Sequence, residues 1–132
     1  MAKLKNVLSR YTSRLTSFKR NIPKKIAQNA TSFFQQNFEK QGFVDSTLKR
    51  WKTRKRRSDP GQGILTRTGR MKRSIRPTSA TFDRIEIVAD VPYAKFHNEG
   101  IGQTKREFMG DSKQLRASIK KMVINDLKKV FS

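Results

Sequence analysis

Apolar residues recur at intervals of three and four over two long stretches, one towards each end of this chain. Leu4, Val7, Leu8, Tyr11, Leu15 and Phe18 make the first series, with Lys5, Arg10 and Arg14 on other faces. That spacing gathers the apolar side chains on one side of an α-helix. Asn21-Ile22-Pro23 predicts an interruption, because proline suits the first turn of a helix and disturbs its interior. A second helix then carries Ile22, Ile26, Ala30, Phe33, Phe34 and Phe38 towards Gly42. Its phenylalanines read as core. The segment before it is an amphipathic arm, free to dock on its own body, on a neighbouring subunit or on a membrane surface.

At the other end, Leu115, Ile119, Met122, Val123, Leu127, Val130 and Phe131 predict a final amphipathic helix. Asp111 stands where an N-cap belongs, and Gln114 would complete a capping box. Between the helical stretches the pattern changes. Thr68 can cap a short helix running through Met71 and Ile75, Gly69 allows close backbone approach, and Pro77 ends that helix. Thr81-Phe82 and Arg84–Ala89 read as strands around a tight turn at Asp83-Arg84. Tyr93, Phe96 and His97 suggest one or two helical turns ending near Gly100. Residues 43–64 are the least structured, anchored by Leu48 and Trp51 and carrying Pro, Gly and a run of like charges. They predict an exposed basic loop at about 49–63. The expected fold class is α+β: N-terminal amphipathic helices, a small antiparallel sheet and a C-terminal amphipathic helix. The expected division is an arm at 1–20 and one body at 21–132.

Charge is distributed unevenly. The formal net charge is +21. Residues 1–38 hold eight basic residues and no acidic one, and residues 49–76 hold twelve against Asp59 alone. Residues 77–111 reverse the sign, with four basic and six acidic, and residues 112–132 return to six basic against Asp126. Such a surplus suits a polyanion, since each neutralised phosphate releases counterions. The candidate contacts to DNA phosphates or to an acidic protein surface are Lys52, Arg54, Lys55, Arg56, Arg57, Arg70, Lys72, Arg73 and Arg76. Contacts of this kind touch the backbone and do not read bases. Hydrophobic residues make up only 34% of the chain, so part of it is expected to order against partners.

Parts for catalysis are missing. With no cysteine there is no disulfide, thiolate metal site or cysteine nucleophile, which suits a reducing cytoplasm. No apolar run reaches the roughly 18 residues that a membrane helix needs. His97 is the only histidine. With Asn98 it could begin a nuclease motif, but only Glu99 is near enough in sequence to be a further ligand. It reads instead as a partly buried ring ordering the turn at Asn98 and Gly100. There is no Gly-x-Ser-x-Gly and no Walker-type loop. Met71–Ile75 has no helix-turn-helix or zinc-finger frame, and the aromatics lie mainly on apolar faces, which argues against a stacking platform. No cofactor and no enzymatic activity are expected.

Three spaced phrases remain: Leu65-Thr66-Arg67-Thr68-Gly69 leading to Ser74-Ile75, Tyr93-Ala94…His97-Asn98-Glu99-Gly100, and Arg106-Glu107-Phe108-Met109-Gly110. In this order, behind Phe34, Phe38, Gly42 and Trp51, they resemble the phage virion morphogenesis, or tail completion, family. The resemblance covers roughly residues 33–131 and leaves out the first 20. The motif residues are Trp51, Thr68, Gly69, Ser74, Ile75, Tyr93, Ala94, His97, Asn98, Gly100, Arg106, Phe108 and Gly110. A proline usual shortly before that arginine is missing, where Thr104 and Lys105 stand. The resemblance implies a non-enzymatic virion protein, assembled in the host cytoplasm, that helps join head and tail or caps the tail. It further implies a homo-oligomeric ring, commonly of six or twelve copies, touching portal, connector or tail-tube proteins. Packaged double-stranded DNA could meet the same ring through its phosphates. The competing class is a free, sequence-nonspecific nucleic-acid-binding protein of the nucleoid or RNA-associated kind.

Overall fold

A computed structural model describes residues 2–53, 65 and 69–132, with side chains from Leu8 onward. Helix α1 spans Ala2–Lys40 without a break. The interruption expected at Asn21–Pro23 does not occur, nor does a helix end at residue 20. Pro23 gives no N–H to the Lys19 carbonyl, a cost that an isolated helix would not bear. Here Ile22, Pro23, Ala27 and Ala30 are buried, and that packing outweighs the lost hydrogen bond.

Strands β1 (Gly42–Val44) and β2 (Leu48–Arg50) form an antiparallel hairpin, Val44 opposite Leu48. This corrects the reading of 43–64 as least structured, at least for 43–53. Phe43 and Val44 are both buried, and a Cβ on Gly42 would collide with the Lys49 carbonyl. Residues 54–64, the centre of the expected basic loop, lie outside the described residues.

Helix α2 is the single turn Arg70–Arg73, and strands β3 (Ile75–Ala80) and β4 (Ile85–Ala89) pair antiparallel. The helix therefore stops before Ile75. Ser74 closes it, its hydroxyl donating to the Met71 carbonyl at 2.6 Å. Pro77 does not end a helix; it sits inside a strand, beside an irregularity in register between Pro77 and Ser79. A proline has no N–H for a ladder, and a bulge at an edge accommodates it. Thr81 and Phe82 belong to the turn, where Thr81 N–H donates to the Arg84 carbonyl at 2.8 Å. Helix α3 spans Ala94–Glu99, ending at Gly100 as expected.

Helix α4 (Lys113–Val130) runs antiparallel to α1. Lys25 bonds Asp126 at 2.7 Å, Asn29 bonds Ser118 at 3.3 Å, and the Tyr11 and Phe131 rings lie 5.8 Å apart. Its cap is Ser112, not Asp111. Ser112 accepts the Leu115 N–H at 3.2 Å and donates to the Val44 carbonyl at 2.6 Å. Asp45 adds a carboxylate oxygen 2.8 Å from the Lys113 N–H. Asp111, displaced from the cap, pairs with Arg116 at 3.0 Å. The core lies between α1, both hairpins, α3 and the start of α4, with Phe34, Phe38, Trp51, Ile75, Phe108 and Leu115 at its centre.

Candidate interaction surface

The end of α1 is where the structure gathers the sequence-predicted residues. Phe38 is packed by the Trp51 ring at 5.6 Å and the Phe108 ring at 5.0 Å. Trp51 donates its indole N–H to the Glu107 carbonyl at 2.8 Å. Phe38, Glu39, Gly69, Lys72 and Arg73 line one recess, of about 490 Å³. The strand end at Lys52 and helix α2 are thus brought against a common aromatic centre.

Their charges are not equivalent. Lys72 bonds Glu39 at 2.8 Å, and that hydrogen bond holds the Glu39 carboxyl below its usual value. Arg76 pairs with Asp90 at 2.9 Å. Lys52 and Arg73 are exposed and have no ion pair among the described residues. Arg70 is exposed beside them. Arg54, Lys55, Arg56 and Arg57 fall outside the described residues. Of the nine described carboxylates, seven already face a cation within 4.0 Å. The outward surplus is therefore positive.

The phrase residues support this surface from beneath. Gly69 adopts φ 67° ahead of α2, and the nearest obstacle to a Cβ there is the flexible end of Arg73. The positive φ, not close approach, is what glycine supplies at this position. Thr68 is outside the described residues. Ile75 and Ala94 are buried, and Tyr93 meets His97 edge-on at 6.3 Å. Gly100 has φ 76°, and a Cβ on it would lie 2.6 Å from the Lys105 Cβ. That close approach, with Arg106 N–H donating to the His97 carbonyl at 2.8 Å, shapes the loop without the usual proline. Arg106 also donates to the Lys52 carbonyl, tying this loop to the basic strand end. A Cβ on Gly110 would collide with the Glu107 carboxylate.

Asn98, not the His97 ring, orders the turn. Its Oδ1 accepts the Phe108 and Met109 N–H groups, and its Nδ2 donates to the Met109 carbonyl. His97 Nδ1 is buried without a partner among the described residues. Burial, with the Arg106 guanidinium nearby, holds His97 below the ordinary histidine value. Sequence reasoning missed Asn37, 1% exposed, which donates to the Phe108 carbonyl at 2.9 Å. Its signal was a polar residue in register with Ala30, Phe33 and Phe34 on the apolar face. Among the described residues no group of three or more His, Asp or Glu could hold a metal ion.

The model of the phage virion morphogenesis family matches residues 1–128. The chain belongs to that family. The match takes in the N-terminal 20 residues that the resemblance had left aside, and it agrees with one unbroken α1. Comparison with curated proteins found no match, and comparison with solved structures found none. Family membership makes this a structural, virion-associated phage protein. No helix among the described residues is long and apolar enough to cross a membrane.

Proposed function

We propose that this virion morphogenesis protein is a non-enzymatic component of the phage head–tail junction, completing the neck or the tail end as a ring. Its basic surface, from Lys52 through the 54–57 run to Arg70 and Arg73, then meets an acidic portal or tail protein or the phosphates of packaged DNA. The observation that carries the reading is the internal use of carboxylates. Seven of nine described acids face cations of the same chain, leaving Lys52 and Arg73 directed outward. Charge presented in that way steers association with an anionic partner.

Deletion of the gene tests the reading directly. Filled heads and finished tails that fail to join are the expected result, and normal infectious particles would overturn it. Within the protein, Arg54→Glu, Arg56→Glu and Arg57→Glu together are expected to block joining while leaving Tm unchanged. A large fall in Tm would show that these residues serve the fold.

A further inference from the structure

The sheet of β3 and β4 has two outer edges, and the chain treats them differently. Asp90 N–H donates to the Ser74 carbonyl at 3.1 Å, and Thr81 and Arg84 exchange backbone bonds at the other end of the ladder. In an antiparallel pair, residues that do not bond across the ladder turn their N–H and C=O groups outward, and they alternate with those that do. Ile75 and Pro77 therefore face outward from β3, and Ile85, Ile87 and Ala89 from β4. The β3 edge is blunted. Pro77 has no N–H to offer, the Ile75 carbonyl accepts from the Gln35 amide at 3.5 Å, and the register breaks between Pro77 and Ser79. Strand β4 carries no proline and no lysine. Among the described residues no other strand lies along its outer edge. An edge left open in this way is a template for a further strand.

The side chains of β4 select which strand fits. Ile87 and Ala89 pack against the core, so alternation sets Arg84, Glu86, Val88 and Asp90 on the opposite face. Arg84 bonds Glu86 and Asp90 bonds Arg76, yet the Arg84 and Asp90 side chains remain 73% and 63% exposed. With β4 antiparallel to β4 of a second copy and Ile87 at the centre, each Arg84 stands opposite the other copy's Asp90. Glu86 then stands opposite Val88, and Ile85 opposite Ala89. Across each end the row Arg76, Asp90, Arg84 and Glu86 alternates in sign. A slide of two residues one way would set Glu86 against Glu86, and the other way Glu86 against Asp90. Opposite charges facing each other across strands stabilise a sheet, and like charges destabilise it. Asp83 and Lys95 lie beyond these pairs.

We infer that β4 pairs with β4 of a second copy of this chain, antiparallel about Ile87, joining two hairpins into one four-stranded sheet. The outward N–H and C=O groups of Ile85, Ile87 and Ala89 supply the hydrogen bonds, and the Arg84–Asp90 pairs fix the register. Both copies use the same strand, so the contact is isologous and closes as a two-fold dimer. This dimer is independent of the ring proposed above.

Sedimentation velocity of the full chain over a range of concentrations tests it. The wild type is expected to pass from monomer to dimer as concentration rises. Arg84→Glu sets acid against acid at both ends of the contact, and Asp90→Arg sets arginine against arginine. Each variant alone is expected to stay monomeric with unchanged circular dichroism. An equimolar mixture of the two is expected to recover the dimer, because the mixed pair again joins opposite charges at both ends. Should a variant fail to fold, amide exchange of the wild type decides, with the Ile85 and Ile87 amides expected to gain protection as concentration rises. A wild type that stays monomeric to its solubility limit overturns the inference, as does an oligomer that survives in both variants or a mixture that stays monomeric. Protection of the Ile85 and Ile87 amides that does not change with dilution overturns it as well. None of these outcomes alters the gene-deletion result, which stands or falls separately.

Discussion

The Asn98 side-chain oxygen accepts the backbone N–H of Phe108 at 2.9 Å, fixing the end of α3 to the segment that carries one of the two most deeply buried aromatic residues of the core. The opposite side of that residue is held by Asn37, whose amide donates to the Phe108 carbonyl. Two asparagines from distant parts of the chain thus satisfy a buried backbone that belongs to no helix or strand.

Asn98→Ala would strip partners from the Phe108 and Met109 N–H groups. Leaving such groups unsatisfied costs about 1–3 kcal/mol. A chemical denaturation series is expected to show that loss, whereas Asn98→Asp, which keeps the accepting oxygen but sets a second oxygen against the Met109 carbonyl, is expected to recover only part of it.

Ser112 and Asp111 separate cleanly by their partners. Ser112→Ala removes a cap and a buried bond to Val44, and a cap alone is worth about 0.5–2 kcal/mol. Asp111→Ala removes only an exposed ion pair and is expected to change stability by less than about 0.5 kcal/mol. Equal losses in thermal melts would return the cap to Asp111.

Periodicity carried the long elements and failed where two local signals competed. The spacing of Phe34 and Phe38 foretold which face of α1 is buried. Gly100 marked the end of α3, and Arg84–Ala89 the strand now seen as β4. Pro23 misled because local propensity argues for a break, while burial of Ile22 and Ala27 on α1 holds the helix through it. Ser112 was hidden beside Asp111, an equally good capping residue by type; the Val44 carbonyl that selects Ser112 is 68 positions away. Pro77 concealed β3 because its tolerance depends on an irregular register that only pairing with β4 supplies. For the interaction surface, sequence named the cations but not their use. Lys72 and Arg76 are tied to Glu39 and Asp90, and only the fold brings those carboxylates near.

His97 gives the protein an acid sensitivity of definite sign. Its folded-state pKa lies below the ordinary value of 6.5, chiefly through burial, so the unfolded chain binds more protons near that pH. Stability is therefore complete above the ordinary value and falls as pH drops through it towards the folded pKa. His97→Gln is expected to flatten the fall in Tm between about pH 7.5 and pH 5.5, the histidine range. Glu39 and Asp126, both held low by lysine hydrogen bonds, lose their stabilisation only in the more acidic carboxylate range and do not confuse that window. An unchanged slope in the variant would mean that the ring gains solvent easily in the native state.

Phe108 and Phe131 are the same side chain in opposite situations, and truncating each separates a core support from an exposed ring. Phe108 is 1% exposed and touches Phe38, so Phe108→Ala leaves a cavity inside the aromatic cluster. Such truncations cost about 3–5 kcal/mol, a large fraction of the stability of a domain this size. Phe131 already faces water over most of its surface, so its alanine variant forfeits little more than contact with Tyr11 within one chain. Thermal unfolding of dilute protein is expected to fall steeply for Phe108→Ala and barely for Phe131→Ala. A steep loss for Phe131→Ala in the dilute monomer would place its ring among the supports of the α1–α4 pair instead.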